Sequence, residues 1–220
     1  MEELATGVYL IYGFPKYAIN AYLVGGVLVD AGVRFMRRSL LKKLRGRQIE
    51  AHLLTHAHPD HQGASHAICQ ALRLPLWCGA GDAPAMQRGR LESLLPARLT
   101  NRLLAACAGG PGHPVERRLK AGDRVADFIV IETPGHTPGH VSLWRAADRT
   151  LILGDVLANQ HPITQKVGLI EPLARFTLDP ARNRRSAQAA AALEPQLICF
   201  GHGPPLRDQA LLRAFVAGLL

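Results

Sequence analysis

The chain has no uncharged apolar run near the roughly 18 residues a membrane-spanning helix needs, so no membrane span is expected. Its first residues, Met-Glu-Glu-Leu-Ala-Thr, are acidic and lack the basic, apolar and small-residue order of a secretory leader; the chain reads as cytoplasmic. None of the four cysteines (Cys69, Cys78, Cys107, Cys199) forms a C-x-x-C pair, and three lie in apolar surroundings, so free thiols are expected rather than a disulfide framework or a thiolate metal site. Aromatic residues make up only 5% of the chain, too few for an evident platform on which single-stranded nucleic acid could stack.

What is present is an ordinary globular composition, 48% hydrophobic and 20% charged, in 220 residues, long enough for one substantial core. The net charge of +9 permits anionic partners. It is spread over arginines with two concentrations, Arg34 to Arg47 and Arg182 to Arg185. Both segments carry helix-like apolar spacing (Phe35, Leu40, Leu41 and Leu44 in the first), so solvated helix faces are expected. A small molecule is the favoured partner, and nucleic acid a less favoured one. Nothing in the sequence fixes the oligomeric state.

Residues 55–61 read Thr-His-Ala-His-Pro-Asp-His and follow an apolar run, Ile49 to Leu54. Four metal-capable side chains in six positions are a poor way to build a core and a good way to bind a zinc-like ion. Three further apolar runs end in the same chemistry. Phe128–Ile131 leads to His136 and His140, Leu151–Leu153 to Gly154-Asp155, and Leu197–Phe200 to Gly201-His202. Each is a short strand-like run, then Gly or Pro, then a potential ligand. Strand ends therefore present His56, His58, Asp60, His61, His136, Asp155 and His202, enough for two ions that share one carboxylate.

The remaining pattern predicts strands at 7–12 and 21–29, the latter folded at Gly25-Gly26, a helix at 34–46, a strand at 49–55, a helix at 62–72 and a strand at 75–78. Residues 82–118 hold four prolines and a Leu/Arg-rich helical stretch from Met86 to Ala108, and read as a helical lid or insert. Strands follow near 128–132, 140–145 and 150–154, then a linker over 158–180, a helix at 180–193, a strand at 197–200 and a last helix at 207–219. Leu211, Leu212, Phe215, Val216, Leu219 and Leu220 give that last helix an apolar face for the core or a partner. Strands then helix in each half suggest two stacked sheets with helices outside, in one domain.

The set His56-x-His58-x-Asp60-His61, His136, Asp155, His202, with Asp30 in Leu28-Val29-Asp30-Ala31-Gly32, resembles the metallo-β-lactamase-fold hydrolase superfamily over essentially the whole chain. The resemblance implies an α/β fold, a four-layer αβ/βα sandwich of two mixed sheets with helices outside. It implies His56, His58 and His136 on a first metal, Asp60, His61 and His202 on a second, and Asp155 bridging both. Two Zn²⁺ ions are expected, with Fe or Mn accepted by the same donors. Such a pair shares a hydroxide that attacks a carbonyl or phosphorus, with Asp60 both ligand and orienter of the nucleophile. Asp30 and His140 are expected to support the ligands from behind. His52, His66, His113 and His161 have no motif support and read as surface or structural, His161 being a weak pocket candidate.

Departures from subfamily patterns narrow the substrate. True β-lactamases of this fold typically carry Cys or Ser where Asp155 stands. Homoserine-lactone hydrolases commonly carry Tyr where Ala158 stands. Glyoxalase II-like thioesterases carry a longer C-terminal region for glutathione than the residues after His202 provide. The expectation is a glyoxalase II-like or lactonase-like hydrolase of an ester, thioester or lactone. Alternatives are a phosphodiester or nucleotide hydrolase and a persulfide dioxygenase-like oxidoreductase with one iron; a non-catalytic binding module fits least, because no ligand position is lost.

Overall fold

The computed structural model describes residues 1–219, so Leu220 lies outside the described residues. The N-terminal half forms a seven-stranded sheet in sequential order: β1 (Glu2–Ala5), β2 (Val8–Tyr12), β3 (Asn20–Val24), β4 (Val27–Val29), β5 (Ala51–Leu54), β6 (Leu76–Gly79) and β7 (Arg117–Leu119). β1 to β4 meander antiparallel, and β4 to β7 run parallel, joined by crossovers that contain α1 (Arg37–Leu44), α2 (Pro59–Gln62), α3 (Ser65–Leu72), α4 (Ala83–Arg88) and α5 (Leu99–Ala108). The C-terminal half forms a second sheet from β8 (Arg124–Val125), β9 (Phe128–Glu132), β10 (Val141–Arg145) and β11 (Thr150–Gly154). It continues through a hairpin of β12 (Ala158–Gln160) and β13 (Val167–Ile170), then α6 (Pro180–Ala192), β14 (Leu197–Phe200) and α7 (Gln209–Ala217). The second sheet's order is β14-β11-β10-β9-β8, with only β11 and β14 parallel.

Strand alternation builds the layers. Val27, Val29 and Leu53 face the second sheet and pack with Phe128, Val130, Leu143, Ile152 and Cys199. Their neighbours Leu28 and Leu54 point outward onto Leu40, Leu44 and Ile68. In the second sheet Leu151, Leu153, Ile198 and Phe200 point outward onto Ala187, Ala190, Leu212 and Val216 of α6 and α7. A period of two thus gives each strand two apolar faces, and the result is helix on sheet on sheet on helix. Small alanines let α6 lie close on its sheet. Asp179 caps that helix by accepting from the Arg182 N–H at 2.9 Å, and its arginines stay at solvent. Among the described residues no helix is long and apolar enough to cross a membrane.

Some boundaries differ from expectation. The first helix starts at Arg37, so Phe35 sits in a preceding 3-10 turn and is 76% exposed rather than packed. The stretch from Met86 to Ala108 is not one helix: Gly89, at φ +66°, ends α4, a 3-10 turn covers Leu91–Leu94, and α5 begins after Pro96. The expected linker at 158–180 contains the β12–β13 hairpin. The short strands β1, β7 and β8 had no apolar run to announce them.

Candidate metal centre

The seven residues of the His/Asp set come together at one edge of the two sheets. Three groups have ligand-capable atoms within 4.8 Å of one another: His56, His58 and His136; His56, His61 and Asp155; Asp60, His61 and His202. Asp155 is the hub. Its Oδ2 lies 3.1 Å from His202 Nε2, 3.4 Å from His61 Nε2, 3.7 Å from His136 Nε2 and 4.0 Å from His56 Nε2, while Asp60 Oδ2 lies 3.3 Å from His202 Nε2. Donor atoms each about 2.1 Å from a common ion would show separations of this order.

The far side of each ring shows which nitrogen is free. His61 Nδ1–H donates to Asp30 Oδ2 at 2.9 Å. Thr55 Oγ1 donates to the same oxygen at 2.8 Å and so accepts from His56 Nδ1–H at 3.1 Å. Thr177 Oγ1 donates to the Leu173 carbonyl and accepts from His136 Nδ1–H at 3.1 Å. His202 Nδ1–H donates to the Ala18 carbonyl, and His58 Nε2–H to the Leu94 carbonyl at 2.9 Å. The nitrogen that each ring turns to the cluster is therefore Nε2 in four of them and Nδ1 in His58. Buried Nε2 of His56, His61 and His136, and Oδ1 of Asp155, have no hydrogen-bond partner. Orphaned buried polar atoms are costly, and four of them converging on one spot fit a site built for cations.

Asp30 and His140 stand behind this set. Asp30 adopts φ +60°, a region Asp tolerates, and its carboxylate also accepts the Thr55 N–H at 2.8 Å, so it orients His61 directly and His56 through Thr55. His140 Nδ1–H donates to Thr133 Oγ1 at 2.8 Å and its Nε2 accepts the Asp155 N–H at 3.0 Å. With both nitrogens engaged it has no lone pair for a metal; it fixes the backbone that carries Asp155. Close approach also demands glycine, since a Cβ on Gly201 would collide with Asp155 Oδ1 and the His61 ring.

Sequence reading missed Asp82. It is fully buried, and its carboxylate accepts from Ala57 N–H at 3.0 Å, Thr137 Oγ1 at 2.7 Å and Gly139 N–H at 2.7 Å. It therefore ties the His56–His61 turn to the His136 turn. The run Gly79-Ala80-Gly81-Asp82 after β6 repeats the strand, glycine, acid signature of Gly154-Asp155, and that was the signal available. Of the unassigned histidines, His52 is a satisfied structural residue between the Leu28 carbonyl and Ser65 Oγ. His66 and His113 pair with each other away from the site, the two Nδ1 atoms 3.3 Å apart. His161 does not line the cleft: its Nδ1 accepts the N–H groups of Ile163 and Thr164 and so closes the hairpin turn.

Burial, then the neighbouring imidazoles, push His56 and His136 well below the usual histidine range, so both stay neutral. Burial acts the same way on His61, but the Asp155 and Asp30 carboxylates outweigh it and raise that ring to about 10. His202 is also raised, with Asp155 and Asp60 overcoming burial.

Above these residues lies an open cleft. Leu95, Leu104, Ile170, Leu173 and Phe176 line its walls, and His58, Asp60, His136, Asp155 and His202 its floor. A sequence model of the metallo-beta-lactamase superfamily matches residues 15–202. The chain belongs to that superfamily. The probable metallo-hydrolase YflN of Bacillus subtilis (strain 168) is 31% identical to it over 233 residues, spanning 93% of this chain and 86% of that one. A hydroxyacylglutathione hydrolase of Rhodospirillum rubrum is 36% identical over 111 residues, 48% of this chain and only 33% of its own length. The crystal structure of TTHA1623 in a di-iron-bound form superposes with a TM-score of 0.70 at 30% identity, covering 93% of this chain and 96% of that one.

Proposed function

We propose that the protein is a hydrolase holding two metal ions, one by His56, His58 and His136, the other by Asp60, His61 and His202, with Asp155 shared, and that it cleaves a carboxylic ester, thioester or lactone. The observation that carries the reading is the convergence of orphaned ring nitrogens and Asp155 Oδ1 on the floor of a cleft whose walls are apolar. Bound there, the ions supply Lewis acidity and lower the pKa of a water molecule to about 7. Asp60, half-buried at the cleft floor, would hold one of the ions and orient the attacking water through its carboxylate. The walls keep bulk solvent out, which strengthens the electrostatic interactions inside. The cleft lining contains no Lys or Arg to pair with phosphate oxygens, which favours a carboxylic substrate over a phosphodiester. Zinc is the expected ion; similarity to a protein solved in a di-iron form supports two ions per chain and makes iron an admissible occupant. Three buried free thiols suit a cytoplasmic setting.

Elemental analysis of protein purified without added metal or chelator tests the reading first. About two ions per chain are expected, followed by turnover in a panel of esters, thioesters and lactones. One iron per chain with oxygen uptake on persulfides would replace the hydrolase by an oxygenase.

Asp60→Asn is expected to leave the fold intact and cut turnover by ~100-fold or more, because it removes the charge that orients the nucleophile. Undiminished turnover would take Asp60 out of the chemistry. Metal uptake should also release protons. In the metal-free protein His61 and His202 hold their protons at neutral pH, and each must lose one to become a ligand. Apparent affinity for Zn²⁺ should therefore rise with pH, about tenfold per unit for each proton displaced, and fall on acidification. Titrations at several pH values measure the slope, and a flat profile would contradict the raised values.

A further inference from the structure

We propose that the cleft accepts an acyl group with a long, uncharged hydrocarbon arm that runs from the metal-binding floor out between α5 and the β12–β13 hairpin. The proposal rests on the hydrolase reading and narrows its substrate class.

The first support is the cleft itself. Apart from Asp60, Asp155 and the histidines of the floor, no ionisable side chain lines it. Gln160 is the one other polar residue of the lining, and its amide nitrogen is engaged by Gln165. Beyond the floor, a charged or strongly hydrated arm would lose water there and meet only Gln160 Oε1, itself buried and without a partner, whereas a hydrocarbon arm loses only apolar exposure.

The second support is the construction of α5. A surface helix normally turns its apolar stripe to the core. The one buried residue of α5 is Asn101, while Leu99, Leu103 and Leu104 are 72%, 58% and 40% exposed. Asn101 Nδ2 donates to the carbonyls of Pro96 at 2.9 Å and Arg175 at 2.7 Å, so the helix is held beside the cleft by hydrogen bonds rather than by its leucines. Across the cleft the hairpin does the same: Ile170 lines the wall, while Ile163 and Val167 are 67% and 58% exposed. Single exposed apolar residues need no explanation; here five sit on the two elements that flank one cleft, Leu104 in its lining and the other four beyond it, an apolar rim for an arm that leaves the cleft. Arg102 of α5, Lys166 of the hairpin and the nearby Arg175 stay at solvent outside the lining. The occupant continuous with the metal-binding floor is the substrate's own arm.

The test is a series of unbranched acyl esters of one leaving group, from acetyl to dodecanoyl, below micelle-forming concentrations, on metal-loaded protein. We expect kcat/KM to rise about fourfold per methylene, the worth of burying one, until the chain outgrows the cleft. Leu104→Asn and Leu103→Asn should lower that slope, whereas a general loss of site geometry would depress all chain lengths alike. Calorimetric binding of linear alkyl carboxylates to the metal-loaded protein gives the same slope without catalysis. Turnover of the acetyl ester with no rise along the series would overturn the apolar arm and leave the hydrolase intact. Carboxylate binding that tightens with length, with no ester of any length hydrolysed, would keep the arm and discard the ester hydrolase. Slopes in both leucine variants equal to the unsubstituted protein's would also overturn the assignment to this rim.

Discussion

Asp155→Ala is expected to lose both metal equivalents and, with them, turnover. One carboxylate oxygen of this residue lies between 3.1 and 4.0 Å from the Nε2 atoms of four separate imidazoles, His56 and His136 of one proposed trio and His61 and His202 of the other. Asp155 is also, with Asp60, one of only two acidic residues at the floor of the cleft, and alanine would leave dications facing neutral rings and a single carboxylate. Partners placed behind ligands already cost about 10–100-fold in metal affinity when removed, so losing the shared ligand should cost ~100-fold or more. The measurement is metal content after gel filtration, paired with melting temperature in the presence and absence of zinc. Unsubstituted protein should gain stability with metal and the variant should gain little, since stabilisation by a ligand follows its affinity. Two ions per chain retained in the variant would remove Asp155 from the bridging role.

How much of this was readable beforehand depends on the distance over which each residue acts. The histidine cluster is legible because four of its members occupy six consecutive positions, and the others each follow an apolar run and a glycine or proline. The layered fold is legible for the same reason: Val27, Leu28 and Val29, or Leu151, Ile152 and Leu153, are apolar on both faces, which only a sheet buried on both sides can use. The residues behind the ligands are another matter. Thr177 serves His136 from 41 positions away, the Leu94 carbonyl serves His58 from 36, and Asp82 reaches Gly139 across 57. Such pairings follow from the packing of crossovers, and no local period or spacing encodes them. Helix boundaries between 82 and 118 failed differently. Leu and Arg are both good helix formers, so propensity joined what Gly89 and Pro96 divide.

Asp82 is where that hidden layer should have its largest effect on stability. Asp82→Ala would leave the Ala57 N–H, the Gly139 N–H and the Thr137 hydroxyl without the carboxylate that accepts all three. Hydrogen bonds to a charged group are worth about 1.5–3 kcal/mol each, and part of that is recovered when water enters the space, so a net loss of ~3–5 kcal/mol is expected. In a chain of this size each kcal/mol moves the melting temperature by about 2–4 °C, which places the variant ~10 °C or more below the unsubstituted protein. Melting should be followed on metal-stripped protein, so that lost scaffolding is not confused with lost metal. The consequence for the site is unequal. Ala57 lies between His56 and His58, and Thr137 follows His136, so Asp82 holds the turns that carry one trio of ligands. Asp60 and His61 lie further along, in α2, with no bond to Asp82, and His202 is on a segment it does not touch. Metal affinity at the trio of His56, His58 and His136 should therefore fall further than at the other, seen as one weakened equivalent in a zinc titration. An unchanged melting temperature, or equal weakening of both equivalents, would show that the two turns are held together by something other than this carboxylate.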